Sequence, residues 1–135
     1  MTYEEKKAWL NRYREANKKY RRLSDRLAEA QTETRRITQN VRVVPGGSGD
    51  NQSLARAIER EEEAERKAYA QLAVCDRLAE EIENGLMKLQ STNGYIVLHK
   101  YYLNCLTWEQ IAMDMNLSVR WVFSLRRKAI EQLEI

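Results

Sequence analysis

Apolar positions recur in alternating steps of four and three through the first third of the chain. They are Trp9, Tyr13, Ala16, Tyr20, Leu23, Leu27, Ala30, Ile37 and Val41, with Thr34 as the one polar interruption. The same spacing returns at Leu54, Ile58, Ala68, Leu72, Cys75, Ala79, Ile82, Leu86 and Leu89, where Glu61 and Glu65 occupy two of the places. A repeat of this period keeps one seam of a helix on a partner. It predicts two long helices, from about Glu4 to Asn40 and from about Gln52 to Leu89; the first is about 55 Å long at 1.5 Å per residue. Between them Val43 to Asn51 holds Pro45 and three glycines, which cannot easily continue a helix and predict a loop near 43–52.

The two seams fit one another as an antiparallel coiled-coil hairpin. Closing it symmetrically about the loop pairs Val41 with Leu54, Ile37 with Ile58, Leu23 with Leu72, Tyr13 with Ile82 and Trp9 with Leu86. Registers shifted by one heptad also keep the seams facing. In the symmetric register Thr34 faces Glu61 and Ala30 faces Glu65, whereas bulky side chains gather at the open end. A firm base and a looser tip follow. One narrow seam leaves a two-helix hairpin marginal, so the apolar edge at Trp9, Leu10 and Tyr13 is expected to pack on a second copy or on the C-terminal part. We assign these three residues, with Trp121, to a homodimer contact.

The period changes after Ser91-Thr92-Asn93-Gly94, a short polar break. Tyr95 to Leu103 reads as a supporting helix, with Val97, Leu98, Tyr101 and Tyr102 available to pack on Trp108 and Leu125. Thr107 with Gln110 three residues on is a capping box, and Trp108, Ile111, Ala112 and Met115 share one helical face. Asn116 tolerates the left-handed backbone of a helix end, Leu117 can tuck under the turn, and Ser118 suits the start of the next helix. There Val122, Leu125, Ala129 and Leu133 form the apolar stripe. A short helix, a three-residue turn and a longer helix are the helix-turn-helix plan. The chain is therefore read as all-α, with a hairpin over 1–90 and a helix-turn-helix domain over 91–135.

At 100° per residue, Arg120, Ser124, Arg127 and Glu131 point away from that stripe, with Phe123 on one flank and Trp121 and Lys128 on the other. Recognition helices read base edges with their N-terminal turns, which favours Arg120 and Ser124. Arg suits guanine, and Phe123 could meet a thymine methyl. Arg127, Lys128 and the helix start at Thr107 are better placed for phosphates. Packing is the alternative role for the two aromatic residues.

Charge qualifies this picture. The chain carries a formal +3, distributed as +6 over residues 1–42, −4 over 43–90 and +1 over 91–135. The first two segments look as if they neutralise one another, and a dedicated nucleic-acid binder is often more basic. Cys75 and Cys105 have no metal spacing, which points to free thiols in a reducing cytoplasm. His99 is the only histidine, and with no second ligand cluster a structural role is expected. The carboxylates from Glu59 to Glu65 read as a solvated helix face. We expect no catalytic residues, no metal, no cofactor and no membrane span.

Thr107-Trp108-Glu109-Gln110-Ile111-Ala112, then Leu117-Ser118, then Val122, Leu125 and Ala129, resemble region 4 of bacterial sigma factors. With the long helical half before it, the pattern is similar to small phage and prophage proteins described as sigma-region-4-like, relatives of the ArpU and RinA type of late-transcription activator. The match covers Gly94 to Leu133. It departs from sigma factors at Val119, Trp121 and Phe123, where sigma factors usually present polar residues. The resemblance implies a sequence-specific regulator that binds double-stranded DNA. It also leaves room for a module docking on RNA polymerase or a phage protein, or for a DNA-recognition subunit of phage packaging.

Overall fold

A computed structural model of the chain describes residues 1–43 and 48–135, with side chains placed for 1–40 and 51–135. Among the described residues the structure is all helical, with no strand. The long hairpin is formed by α1 (Tyr3–Val43) and α2 (Ser48–Leu86). A 3-10 turn (Met87–Leu89) leads into α3 (Asn93–Leu98), which continues as a π-helical turn through His99–Leu103. The helix-turn-helix pair is α4 (Trp108–Met115) and α5 (Val119–Gln132).

Both long helices extend beyond their expected ends at the hairpin loop. Gly49, Asp50 and Asn51 are helical, and residues 44–47 of the expected loop lie outside the described residues. One glycine costs a helix about 1 kcal/mol relative to alanine, which a helix of 39 residues can absorb because extension is far easier than nucleation.

The contacts divide the chain into two compact units, residues 1–16 with 75–135 and residues 17–74. In the first, the boundary expected near residue 90 is bridged by a shared core. Leu10 is 0% exposed and packs with Ile82, Leu86, Leu98, Tyr102, Ala129, Ile130 and Leu133, and Trp9 and Tyr13 lie against the same cluster. The edge assigned to a subunit contact thus meets the chain's own C-terminal helices, the other partner that the sequence left open. Burying a Leu or Ile side chain contributes about 1.5–3 kcal/mol, so the ends of the long helices are held by α3 and α5 as well as by each other. Register at this end follows the symmetric pairing closely. Arg12 reaches Glu81 at 3.1 Å, and Trp9 lies over Gly85.

A second cluster of Val97, Ile111, Ala112 and Val122 holds α4 and α5 to α3, with Leu117 and Leu125 packed beside it. Gly94 is buried where α3 crosses α5. A Cβ built there would lie 2.6 Å from the Ala129 Cβ, so this crossing tolerates only hydrogen at that place. After the π-helical turn Cys105 adopts φ 58, and the Leu106 amide reaches back to the Lys100 carbonyl at 3.1 Å. This is the closure of a left-handed helix end, one residue longer than the usual six because the turn before it is π-helical.

Residues 17–74 are filled differently. The buried side chains among the described residues are Ala57, Ala68 and Gln71. The expected register does not hold here. The Thr34 hydroxyl donates to the Ala30 carbonyl of its own helix at 3.0 Å and lies 3.4 Å from the Ala57 carbonyl across the hairpin, Ile58 is turned out at 40% exposed, and Leu23 shares a groove with Ala64 and Lys67. The pairing expected of Val41 lies outside the described side chains. Small Ala57 is buried on the inner side while Ile58 is not, and Glu61 and Glu65 stay half exposed.

Candidate nucleic-acid interface

The turn between α4 and α5 forms as its residues dictate. The Thr107 hydroxyl accepts the Gln110 amide at 3.2 Å, and the Gln110 side chain accepts the Thr107 amide at 2.9 Å. Asn116 takes φ 54, and the Leu117 amide closes on the Ala112 carbonyl at 2.9 Å. The Ser118 hydroxyl then caps α5 by accepting the Trp121 amide at 3.1 Å. With both ends pinned, α5 has a fixed rotation about its axis.

That rotation buries Val122, Ala129, Ile130 and Leu133 and half-buries Leu125. It leaves Arg120, Ser124, Arg127, Lys128 and Glu131 exposed. Arg120 has no ion pair among the described residues. The Ser124 hydroxyl donates back to the Arg120 carbonyl at 3.3 Å, and its oxygen keeps acceptor capacity. Arg127 lies 3.4 Å from Glu131, an exposed pair worth little and easily exchanged. Lys128 borders a shallow groove of about 270 Å³ with Thr92, Asn93 and Gly94.

The aromatic residues divide. Phe123 sets its edge on Trp108, with ring centroids 5.5 Å apart, and remains 43% exposed. It therefore serves packing and surface together. Trp121, at 54% exposed, has no ring contact among the described residues.

Beneath this surface Tyr101 packs on Trp108 as expected, in a stacked column whose two arginines were not anticipated. The Tyr101 ring stacks on Trp108 at 3.7 Å, with planes 10° apart. The Arg14 guanidinium covers Tyr101 at 4.0 Å and donates to its carbonyl at 2.6 Å, and Arg126 covers Trp108 at 4.8 Å. Arginine faces over aromatic rings are attractive by about 0.5–2 kcal/mol each. Arg126 is thereby withdrawn from the exposed face, although Arg127 and Lys128 beside it are not. Its position four residues after Val122 and four before Ile130 was the available signal.

His99 is half-buried. Its Nε2 lies 2.8 Å from Glu83, whose other oxygen accepts the Tyr95 hydroxyl at 2.6 Å. That hydrogen bond, with burial and the Glu83 charge, holds the Tyr95 phenol above its ordinary value. The cluster ties α3 to α2. Among the described residues no group of three His, Cys, Asp or Glu side chains could hold a metal, and no helix is long and apolar enough to cross a membrane.

No family model, no curated protein and no solved structure matches the chain.

Proposed function

We propose that the chain is a DNA-binding regulator of the phage type, in which α5 enters the major groove of double-stranded DNA. The observation that carries this reading is the outward face of α5. Arg120, Ser124 and Arg127 are exposed on a helix whose opposite side is locked into the core. Arg120, in the first turn, is free to form a bidentate contact with guanine, worth about 1–3 kcal/mol. Ser124 follows one turn later, and Phe123 presents its exposed part to thymine methyls. Arg127, Lys128 and the start of α4 at Thr107 meet phosphates, which fix orientation without reading sequence. More than one copy engages the site, as paired half-sites require. The likeness of Thr107–Ala112 and its following turn to sigma region 4 supports the same reading.

Selection of bound duplexes from a random pool tests it. The expected outcome is an enriched motif whose binding weakens tenfold or more in Arg120→Ala. A pool that shows no enrichment refutes it.

A second reading is favoured by Trp121 and Phe123, two aromatic residues left partly open on one helix. Such side chains are common anchors in protein contacts. In this reading α5 docks on RNA polymerase or another protein and has little affinity for DNA. Trp121→Ala separates the two, because it abolishes polymerase capture in the second reading and leaves duplex binding nearly unchanged in the first.

A further inference from the structure

Residues 17–74 pose a physical problem of their own. Their buried set among the described residues is two alanines and a glutamine, while Leu23, Leu27, Ile37, Leu54 and Leu72 are only half covered. Helices of this length draw their stability chiefly from packing an apolar face. Something further must cover this part of the hairpin.

Two stripes on α2 show what could cover it. Arg56, Arg60, Glu63 and Lys67 share one side of the helix, where with Glu59 they wall a groove of about 400 Å³ with Arg26 opposite and Leu23 and Ala64 inside it, four cationic side chains against two carboxylates. A single water occupies about 30 Å³, so the groove has room for a whole side chain. Lys67 is already 3.7 Å from Glu63, and Arg66 pairs with the same carboxylate. Arg26, Arg56 and Arg60 have no ion pair within 4 Å among the described residues. Glu33 is held below its ordinary value by Arg36 and, more weakly, by Arg60.

The other stripe is Ile58, Glu62, Glu65 and Tyr69. Each member lies two residues after a member of the first stripe, hence about 200° around the helix. The stripes stand back to back. Ile58 is 40% and Tyr69 62% exposed, and neither glutamate has an ion pair among the described residues. One stripe supplies arginines without an ion pair around a groove that is net positive and floored by Leu23 and Ala64, and the other supplies unpaired carboxylates between apolar knobs. A single copy cannot join its own two stripes.

We propose that the chain self-associates through a repeating back-to-front contact, in which the Ile58–Tyr69 stripe of one copy seats in the Leu23/Ala64 groove of the next. Tyr69 enters the groove between arginine guanidinium groups, which attract an aromatic face. Glu62 and Glu65 answer the unpaired arginines. The two surfaces differ, so the contact is heterologous; it closes into a ring or continues as a filament, and it does not end at a two-fold dimer. It is independent of any meeting between α5 and DNA.

Sedimentation equilibrium of the full chain, at micromolar concentration and without nucleic acid, tests this. The wild type is expected to exceed two chains in mass. Tyr69→Ser, which removes the knob, and Arg56→Gln/Arg60→Gln, which disarms the groove, each fall to one chain with unchanged helical circular dichroism. Mixed in equal amounts, they form a two-chain species and stop there, because one intact stripe and one intact groove remain. Glu62→Gln/Glu65→Gln lowers the mass from the acidic side. A monomeric wild type overturns the proposal, as does a wild-type dimer indifferent to Tyr69→Ser. A monomer whose duplex affinity drops in Arg56→Gln/Arg60→Gln would assign the groove to phosphates instead, and would equally overturn it.

Discussion

Gly94 and Gly85 are both helical, and replacing either by alanine should on propensity alone add about 1 kcal/mol of stability. The structure predicts opposite outcomes. At Gly94 the new methyl would lie 2.6 Å from the Ala129 Cβ and 3.6 Å from the α5 backbone. Neither is the end of a flexible side chain, so α3 and α5 must move apart. Overpacking of this kind costs about 1–3 kcal/mol, and after the propensity gain a net loss of roughly 1 kcal/mol remains. At Gly85 the near atoms belong to the outer edge of the Trp9 ring, at 2.8 and 3.3 Å, and to Ile135 near the chain's end, at 3.4 Å. That ring is half-buried and can tilt, so Gly85→Ala is expected to be neutral or slightly stabilising. Urea unfolding followed by helical circular dichroism reads both as shifts in midpoint at constant slope. Gly94→Ala combined with Ala129→Gly should show a favourable coupling of about 1 kcal/mol in a double-mutant cycle. A Gly94→Ala protein more stable than wild type would refute the reasoning, because the crossing would then have room that the geometry denies it.

Stability should also fall in alkali. The Tyr95 phenol is raised by its hydrogen bond to Glu83, and the Tyr102 phenol chiefly by burial, both from 10.0. Each therefore holds its proton more tightly folded than unfolded. The stabilisation is fully present below about pH 10 and is lost as pH rises through the folded values. Denaturation midpoints measured across that window should decline, with a shallower decline in Tyr95→Phe; an identical slope in that variant would contradict the Glu83 contact. At dilutions where copies are separate, amide hydrogen exchange should be slow around Leu10, Ile82 and Leu86 and fast around Thr34 and Ala57, since the first group is fully buried and the second lacks a large buried side chain. Uniform protection under those conditions would refute this, whereas protection of the distal part that appears only as concentration rises is what the back-to-front contact predicts.

How much could be read from the chain depended on the kind of signal. The turn between α4 and α5 was legible residue by residue, because Thr107, Gln110, Asn116 and Ser118 act through bonds to their own neighbours. The two long helices were legible as well, since a heptad pattern needs only its own period. Pairing between them was not. Ala57 and Ile58 are both apolar and adjacent, so the pattern could not tell which one faced inward, and the folded hairpin buries the smaller. Leu10, one place off the seam, was expected to pack on a second copy or on the C-terminal part, and nothing local decided between the two. The Arg14 and Arg126 column escaped notice because arginine is read as surface unless an aromatic partner is known, and Arg14 meets Tyr101 from far along the chain. On α5 the apolar stripe fixed the outward face correctly, while the contact of Phe123 with Trp108 depended on how α4 and α5 cross.

The exposed face of α5 is proposed to meet the phosphates and bases of duplex DNA. The most direct measurement is duplex affinity as a function of salt for the wild type, Arg120→Ala and Arg127→Ala. Affinity is expected to fall steeply with salt, with Arg127→Ala reducing the slope by about one unit and Arg120→Ala weakening binding while relaxing sequence preference. Binding that neither substitution alters, or a wild type with no measurable duplex affinity at low salt, would contradict the account.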